Sequence, residues 1–323
     1  MTSGERLQAA VRGADIDRVP FAVWRHFYPD EADPRALADA TVAFTRRHQL
    51  DLVKFNPRAH YHGEPWGTRY EYAGTDKPRL IENAVERTAD WARIDRRGTD
   101  ERAFQDLLLG LRLVREALPD VPLLATIFTP LGAAQRLATP ARLLEDLRDR
   151  PEAVLPALDA LAETFRGVAA ACCEVADGIF LATTPAASRS YLTDDEYARF
   201  GVPYDLRVLD GARGARLNVL HVCGDDAPVI ALGRAYAVAA VSWNAFGRED
   251  PPLDAFLAAV PGKAAIGGIS DAAFFDPPTA RAEARAGLDR TGGRRWIAAG
   301  GCTIPTNARP EAIDAAREAL VSA

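Results

Sequence analysis

Short β-type runs alternate with longer amphipathic segments along the whole chain, and nothing else in the sequence constrains the fold as strongly. Eight such runs can be read, at residues 18–24, 51–56, 123–129, 178–184, 217–223, 235–244, 264–270 and 296–302. Several are almost continuously apolar, as in LLATIFT and AYAVAAV, the pattern of parallel strands covered on both faces. The segments between them open with helix-start signals: Thr139-Pro140, Asp194-Asp195, Pro278 and Pro310. Proline in a first helical turn forfeits no hydrogen bond, because the first amides of a helix have no acceptor within it. Eight strand–helix repeats predict an α/β fold, a closed (β/α)8 TIM barrel forming a single domain over residues 1–323. A doubly wound sheet is the other arrangement that this alternation allows.

One interval is too long for a simple strand–helix unit. Residues 57–95, rich in glycine, proline and aromatics, predict a long excursion after the second strand with a small hairpin in RYEYAGTDKPRLI. Long loops in compact domains are usually functional covers. The excursion is therefore expected over the barrel mouth, with His60, Tyr61, His62 and Trp66 facing the cavity.

A formal net charge of −6 and only short basic pairs, Arg46-Arg47 and Arg294-Arg295, argue against a nucleic-acid or anionic-membrane partner. The N-terminus lacks an apolar signal core and no apolar run reaches membrane-spanning length, so a cytoplasmic location is expected. Four cysteines in a chain of 323 residues are not a disulfide framework; they are core residues, ligands or nucleophiles.

Barrel chemistry gathers at the C-terminal ends of the strands. There the sequence places His221 and Cys223, one residue apart and so on the same side of an extended strand, while Cys302 ends the last run. Two thiolates and one imidazole suit Zn2+ and leave its fourth position open, the catalytic arrangement. On these residues alone, the metal reading and ordinary packing stand level. His26, Asn56, Tyr61 and Asn244 are candidate substrate contacts, with Arg25 and Ser188 as further polar groups near the mouth. His60 and His62 offer either pocket lining or an alternating ligand pair. Cys172 and Cys173 lie in an alanine-rich helical run and are expected in the core, His48 in solvent, and Asp225 and Asp226 as caps of the next helix.

The stretches NVLHVCGDDAPVIALGRAYAVAAVSWN, GGIS and WIAAGGCTIPTNARPEAIDAARE resemble the C-terminal half of the uroporphyrinogen decarboxylase superfamily. GIFLATTPAASRSYLTDDEYARFGVPYDLRVLD resembles that family's fourth strand and following helix. His-x-Cys with a later Gly-Gly-Cys is similar to its zinc branch, the methylcobalamin:coenzyme M methyltransferase type. The resemblance implies a barrel in which His221, Cys223 and Cys302 bind zinc and the metal activates a small-molecule thiol for methylation. The implied donor is a corrinoid, methylcobalamin, or something similar. No Asp-x-His-x-x-Gly corrinoid motif occurs, so a corrinoid would arrive free or on a separate corrinoid protein.

The decarboxylase pattern itself fits less well. Trp24-Arg25-His26-Phe27-Tyr28 stands where that branch has Arg-Gln-Ala-Gly-Arg, Asn56 where it has the pyrrole-binding Asp, and Cys302 in place of its late His. Its carboxylate clamps reduce here to Arg25 and Arg58. Two departures concern the methyltransferase pattern. Trp243 and Asn244 occupy the place of an acidic fourth ligand, with Glu249 and Asp250 in the loop behind, and Thr183-Thr184 replaces a common Asp. The alternatives are a decarboxylase or lyase acting on another carboxylated substrate, and a metal-free binding or corrinoid-handling protein.

Overall fold

The structure is a computed structural model that describes residues 1–72, 74 and 76–320. Among the described residues nine strands form: β1 (Val53–Phe55), β2 (Arg69–Glu71), β3 (Arg79–Glu82), β4 (Leu123–Phe128), β5 (Gly178–Ala182), β6 (Val219–His221), β7 (Ala240–Ser242), β8 (Ala264–Ile269) and β9 (Trp296–Gly300). Seven make one parallel sheet in the order β1-β4-β5-β6-β7-β8-β9, each beside the next in the chain. A doubly wound sheet reverses its strand order at a switch point. This sheet does not, which removes that alternative.

The first predicted run is not a strand. Residues 18–24 contribute a single bridge, Phe21 to Ala298 of β9, with Ala22 N donating to Ala298 O and Ala298 N to Pro20 O, both at 2.9 Å. On its other side Phe21 O accepts from Asp51 N at 2.9 Å, so the sheet curls until this segment touches both edges. Two features keep it from ladder geometry. Pro20 has no amide hydrogen, and the Phe21 amide is taken by the Asp51 carboxylate at 2.9 Å.

Asp51 is fully buried and gathers more than that amide. It pairs with Arg6 at 2.6 Å and Arg18 at 2.5 Å, and accepts from Ser3 Oγ at 3.1 Å. The hub fastens the N-terminal helix Ser3–Arg12 to the sheet at the start of β1, the end opposite the strand termini that carry chemistry.

Side-chain alternation then sorts the core. Leu52, Leu124, Phe180, Val219, Ala240, Ala264 and Ile297 point to the inside of the curl. Their neighbours, among them Val53, Ile179, Leu220, Val241 and Trp296, pack outward with the helices. Two residues further along the inward rows stand Lys54, Thr126, Ala182, His221 and Ser242.

The excursion carries the expected hairpin, β2 against β3, although Ala73 and Thr75 at its turn lie outside the described residues. Cys172 and Cys173 end the long helix Pro151–Cys173, the first of them fully buried, as core residues would. His48 departs from its solvated expectation. It is 3% exposed on the inner face of the helix Pro34–His48, with Nδ1 2.8 Å from Asp314 Oδ1. Among the described residues no helix is long and apolar enough to cross a membrane.

Candidate metal centre

β6 ends at His221 and continues extended to Cys223, where Gly224 turns the chain at φ +120°. A side chain there would be strained by that φ and would meet Ser188 Oγ at 2.0 Å. The opposite wall follows β9 to Gly301, whose closeness to Asn244 (2.8 Å from a built Cβ to Asn244 Cα) brings Cys302 toward β6. One imidazole nitrogen and the two sulfurs consequently lie within 4.8 Å of one another, the one such group of three among the described residues.

The donors fit a metal. His221 is 5% exposed and its Nε2 is buried without a hydrogen-bond partner, an expensive omission for a polar atom unless something binds it. Its Nδ1 lies 3.2 Å from Ser242 Oγ, on the directly paired residue of β7, and Phe180 stacks on the ring at 5.2 Å. Ligation through Nε2 requires the ring proton at Nδ1, where Ser242 Oγ accepts it. Cys302 is held well below the usual thiol range, first by the Cys223 thiol beside it and then by the adjacent His221 ring and Lys54 ammonium, against the opposing effect of burial. Cys223, which keeps the shared proton and is half-buried, moves up. Thr183 Oγ1 accepts from Cys223 N at 3.2 Å, fixing the loop that carries this sulfur.

Ser242→Ala is expected to weaken the affinity of the trio for an added metal ion about 10–100-fold while leaving the fold intact, because it removes the group that orients a ligand. Competition against a chromogenic chelator measures this, and unchanged affinity would rule out the orienting role.

The trio lies between two cavities. The larger, about 320 Å³, runs from the trio toward the excursion, and no described residue lining it is Asp or Glu. Lys54 enters it from β1, buried, with its ammonium hydrogen-bonded to Asn56 Oδ1 and 4.8 Å from the Phe180 ring centre. Burial lowers the Lys54 pKa to about 8 against the opposing pull of Cys302 and Cys223. The smaller cavity, about 250 Å³, approaches the trio beside Asp225, Asn244 and Asp271.

The structure separates the predicted contacts. His26 and Asn56 line the larger cavity, as do His60 and His62, while Asn244 lines only the smaller one and donates to Asp225 Oδ1 at 3.1 Å. Tyr61 does not face either. Its ring is buried on the core side and its hydroxyl donates to Thr126 O at 3.1 Å, since it follows the left-handed His60 and points away from its neighbours. Trp66 likewise packs on Phe165 and donates to Asp95 O at 2.7 Å. Arg25 stacks over Phe27, and Arg58 is consumed by Glu64 and Asp106, so neither is a free carboxylate clamp. Ser188 is buried beneath Gly224. Asp225 and Asp226 do not cap the next helix, which starts later, at Val229, with Pro228 before it; Asp226 instead accepts from Ser190 N at 2.8 Å. Glu249 and Asp250 are not among the clustered donors. Lys54, Arg136 and Ser242 were not singled out from the sequence. Only Lys54 left a signal, its spacing of two from Asn56.

The family profile described as Uroporphyrinogen decarboxylase (URO-D) matches residues 2–322. The chain belongs to the uroporphyrinogen decarboxylase family. No curated protein matches it in sequence. Among solved structures, this family member is similar to a methyltransferase from Methanosarcina mazei at 18% identity and a TM-score of 0.80, over 99% of this chain and 98% of that one. It is also similar to a B12-independent methionine synthase from a Shewanella species (12% identity, TM-score 0.58, 88% and 86% covered). A putative vitamin-B12-independent methionine synthase from Listeria monocytogenes follows (12%, 0.59, 95% and 95%). At these identities the likeness is one of fold. The uroporphyrinogen decarboxylase fold thus accounts for the scaffold, and the donor set has to be argued from its own atoms.

Proposed function

We propose that this member of the uroporphyrinogen decarboxylase family is a zinc-dependent methyltransferase whose acceptor is a small thiol. In this reading the curled sheet is a closed (β/α)8 barrel forming a single domain, and the excursion covers its mouth. The observation that carries it is the convergence of a partnerless buried imidazole nitrogen with two thiols at the end of an acid-free cavity. A zinc ion held by His221, Cys223 and Cys302 would supply a Lewis acid with an open position, able to lower the pKa of a thiol while leaving its sulfur nucleophilic. The likeness in fold to the Methanosarcina mazei methyltransferase supports the same direction.

The chain's own groups have definable parts in this. Ser242 holds the His221 tautomer, and Thr183 holds the Cys223 loop. Lys54 places positive charge toward the sulfurs, where thiolate charge accumulates, and Trp24 and Phe180 pack their rings around its ammonium. The donor is proposed to be a corrinoid such as methylcobalamin, free or presented by a separate protein, or a similar methyl compound.

The test incubates the purified protein with methylcobalamin and a panel of thiols and follows thioether formation by mass spectrometry. Methylation that stops on chelation and returns with zinc is expected, with no carbon dioxide from uroporphyrinogen. Carbon dioxide release that is indifferent to zinc removal would instead establish a decarboxylase.

A further inference from the structure

The two cavities that meet at the trio are lined by charges of opposite sign. Lys54, Arg58, Lys77 and Arg136 line the larger one, with no carboxylate among its described lining residues. The smaller one, about 250 Å³, has the reverse: Asp225 and Asp271, and among the described residues no lysine or arginine. His221, Cys223 and Cys302 are the residues that the two linings share.

The two acids stand on different loops. Asp225 follows β6 and Asp271 follows β8, and both are exposed, so the smaller cavity opens to water between these loops. Asp225 Oδ1 accepts from Asn244 Nδ2 at 3.1 Å, and among the described residues no cation pairs with it. Asp271 precedes the short helix Ala272–Phe275 without capping it, and its carboxylate likewise has no donor or cation on it. Burial, and then the nearby Cys302 and Asp225, push this carboxyl up, which places the three acidic groups within electrostatic reach of one another. Neither acid is among the donors that cluster with the trio. What gives this cavity a destination is His221 Nε2, which is buried, partnerless and on a residue of the same lining.

A cleft lined by one sign of charge concentrates ions of the other sign and raises their rate of arrival. A dication in the larger cavity would meet only positive side chains, and in the smaller one two carboxylates and then the sulfurs. We propose that the smaller cavity is the route by which the metal ion reaches the trio, with Asp225 and Asp271 as its electrostatic funnel, while the larger cavity repels cations. The proposal rests on the reading of the trio as a zinc site; the direction of entry rests only on the two linings. A charge along a route sets the association rate and its salt dependence, whereas a charge in the coordination shell sets the dissociation rate.

Stopped-flow mixing of the metal-stripped full chain with Zn2+ and a fluorescent zinc indicator, at low and at physiological salt, reads the loading rate. In Asp225→Asn/Asp271→Asn the rate should fall about 10-fold at low salt and lose most of its salt dependence, an effect within the range of electrostatic steering. Both sites are exposed and asparagine keeps an acceptor for Asn244 Nδ2, so the fold should hold. A thermal melt checks this, and Asp271→Asn alone serves if the pair does not fold. Asp120→Asn, at an exposed acid before β4 on the opposite end of the sheet, controls for net charge and should load at the wild-type rate. Arg136→Gln should load no faster than wild type. An unchanged rate in the double variant, a fall matched by Asp120→Asn, or faster loading in Arg136→Gln would each overturn the route. Faster loss of zinc to a chelator at an unchanged loading rate would make the two acids ligands and overturn it as well. A wild-type chain that takes up no zinc removes the zinc reading and the route with it; zinc taken up at a rate the acids do not affect removes only the route.

Discussion

Cys302→Ser is expected to reduce bound zinc from about one ion per chain to less than about a tenth, with methyl transfer falling in proportion. The hydroxyl that replaces the thiol is a harder and far less acidic donor, so one thiolate and one imidazole would remain to neutralise and hold the ion. The fold should survive, because Cys302 lies beyond β9, partly exposed at the rim, and the packed rows of the sheet end before it. Cys223→Ser should behave alike. Cys172→Ser is the matched control: that sulfur is buried in the helix Pro151–Cys173, so its loss should lower the melting temperature and leave zinc unchanged. Metal analysis beside a thermal melt reads both quantities, and zinc retained in both Cys302→Ser and Cys223→Ser would mean that the ligands are elsewhere.

The largest effect on stability should come from the other end of the sheet. Asp51→Ala removes the carboxylate that Arg6, Arg18 and the Phe21 amide all share. Arg6 is itself 7% exposed, and breaking a buried ion pair from one side leaves the remaining charge uncompensated. The cost is expected to be about 3–5 kcal/mol. It falls on the segment that joins the two sheet edges, so denaturant unfolding should lose its midpoint while zinc per folded chain is preserved. A loss below about 1 kcal/mol would show that the hub is replaceable by water.

Seven of the eight strands were legible because continuous apolar runs have few other uses in a soluble chain. The remaining one, the run at residues 18–24, fails at Pro20 and at an amide claimed by Asp51, and the second of these depends on a partner thirty positions away. In the candidate trio, the meeting of His221 and Cys223 was legible through the period of two, and that of Cys302 through its place at the end of a run. Lys54 was not, because a lysine in a strand ordinarily marks a wet face; only the curling of the sheet turns that face inward. Arg136 reads as the polar side of an amphipathic helix until the excursion folds against it. His48 could have been placed from its spacing with Thr41 and Thr45, both buried on the same helical face, but its neighbours Arg46 and Arg47 suggested solvent. Tyr61 and Trp66 misled for a related reason: irregular backbone has no period from which a side chain's direction can be read.

Zinc K-edge X-ray absorption of the purified chain, before and after addition of a small thiol, tests the central claim most directly. The account predicts a first shell with two sulfurs and imidazole nitrogen in the free protein, and a third sulfur when the thiol is added, accompanied by release of a proton. A shell of nitrogen and oxygen alone, or a sulfur count that the thiol leaves unchanged, would contradict it.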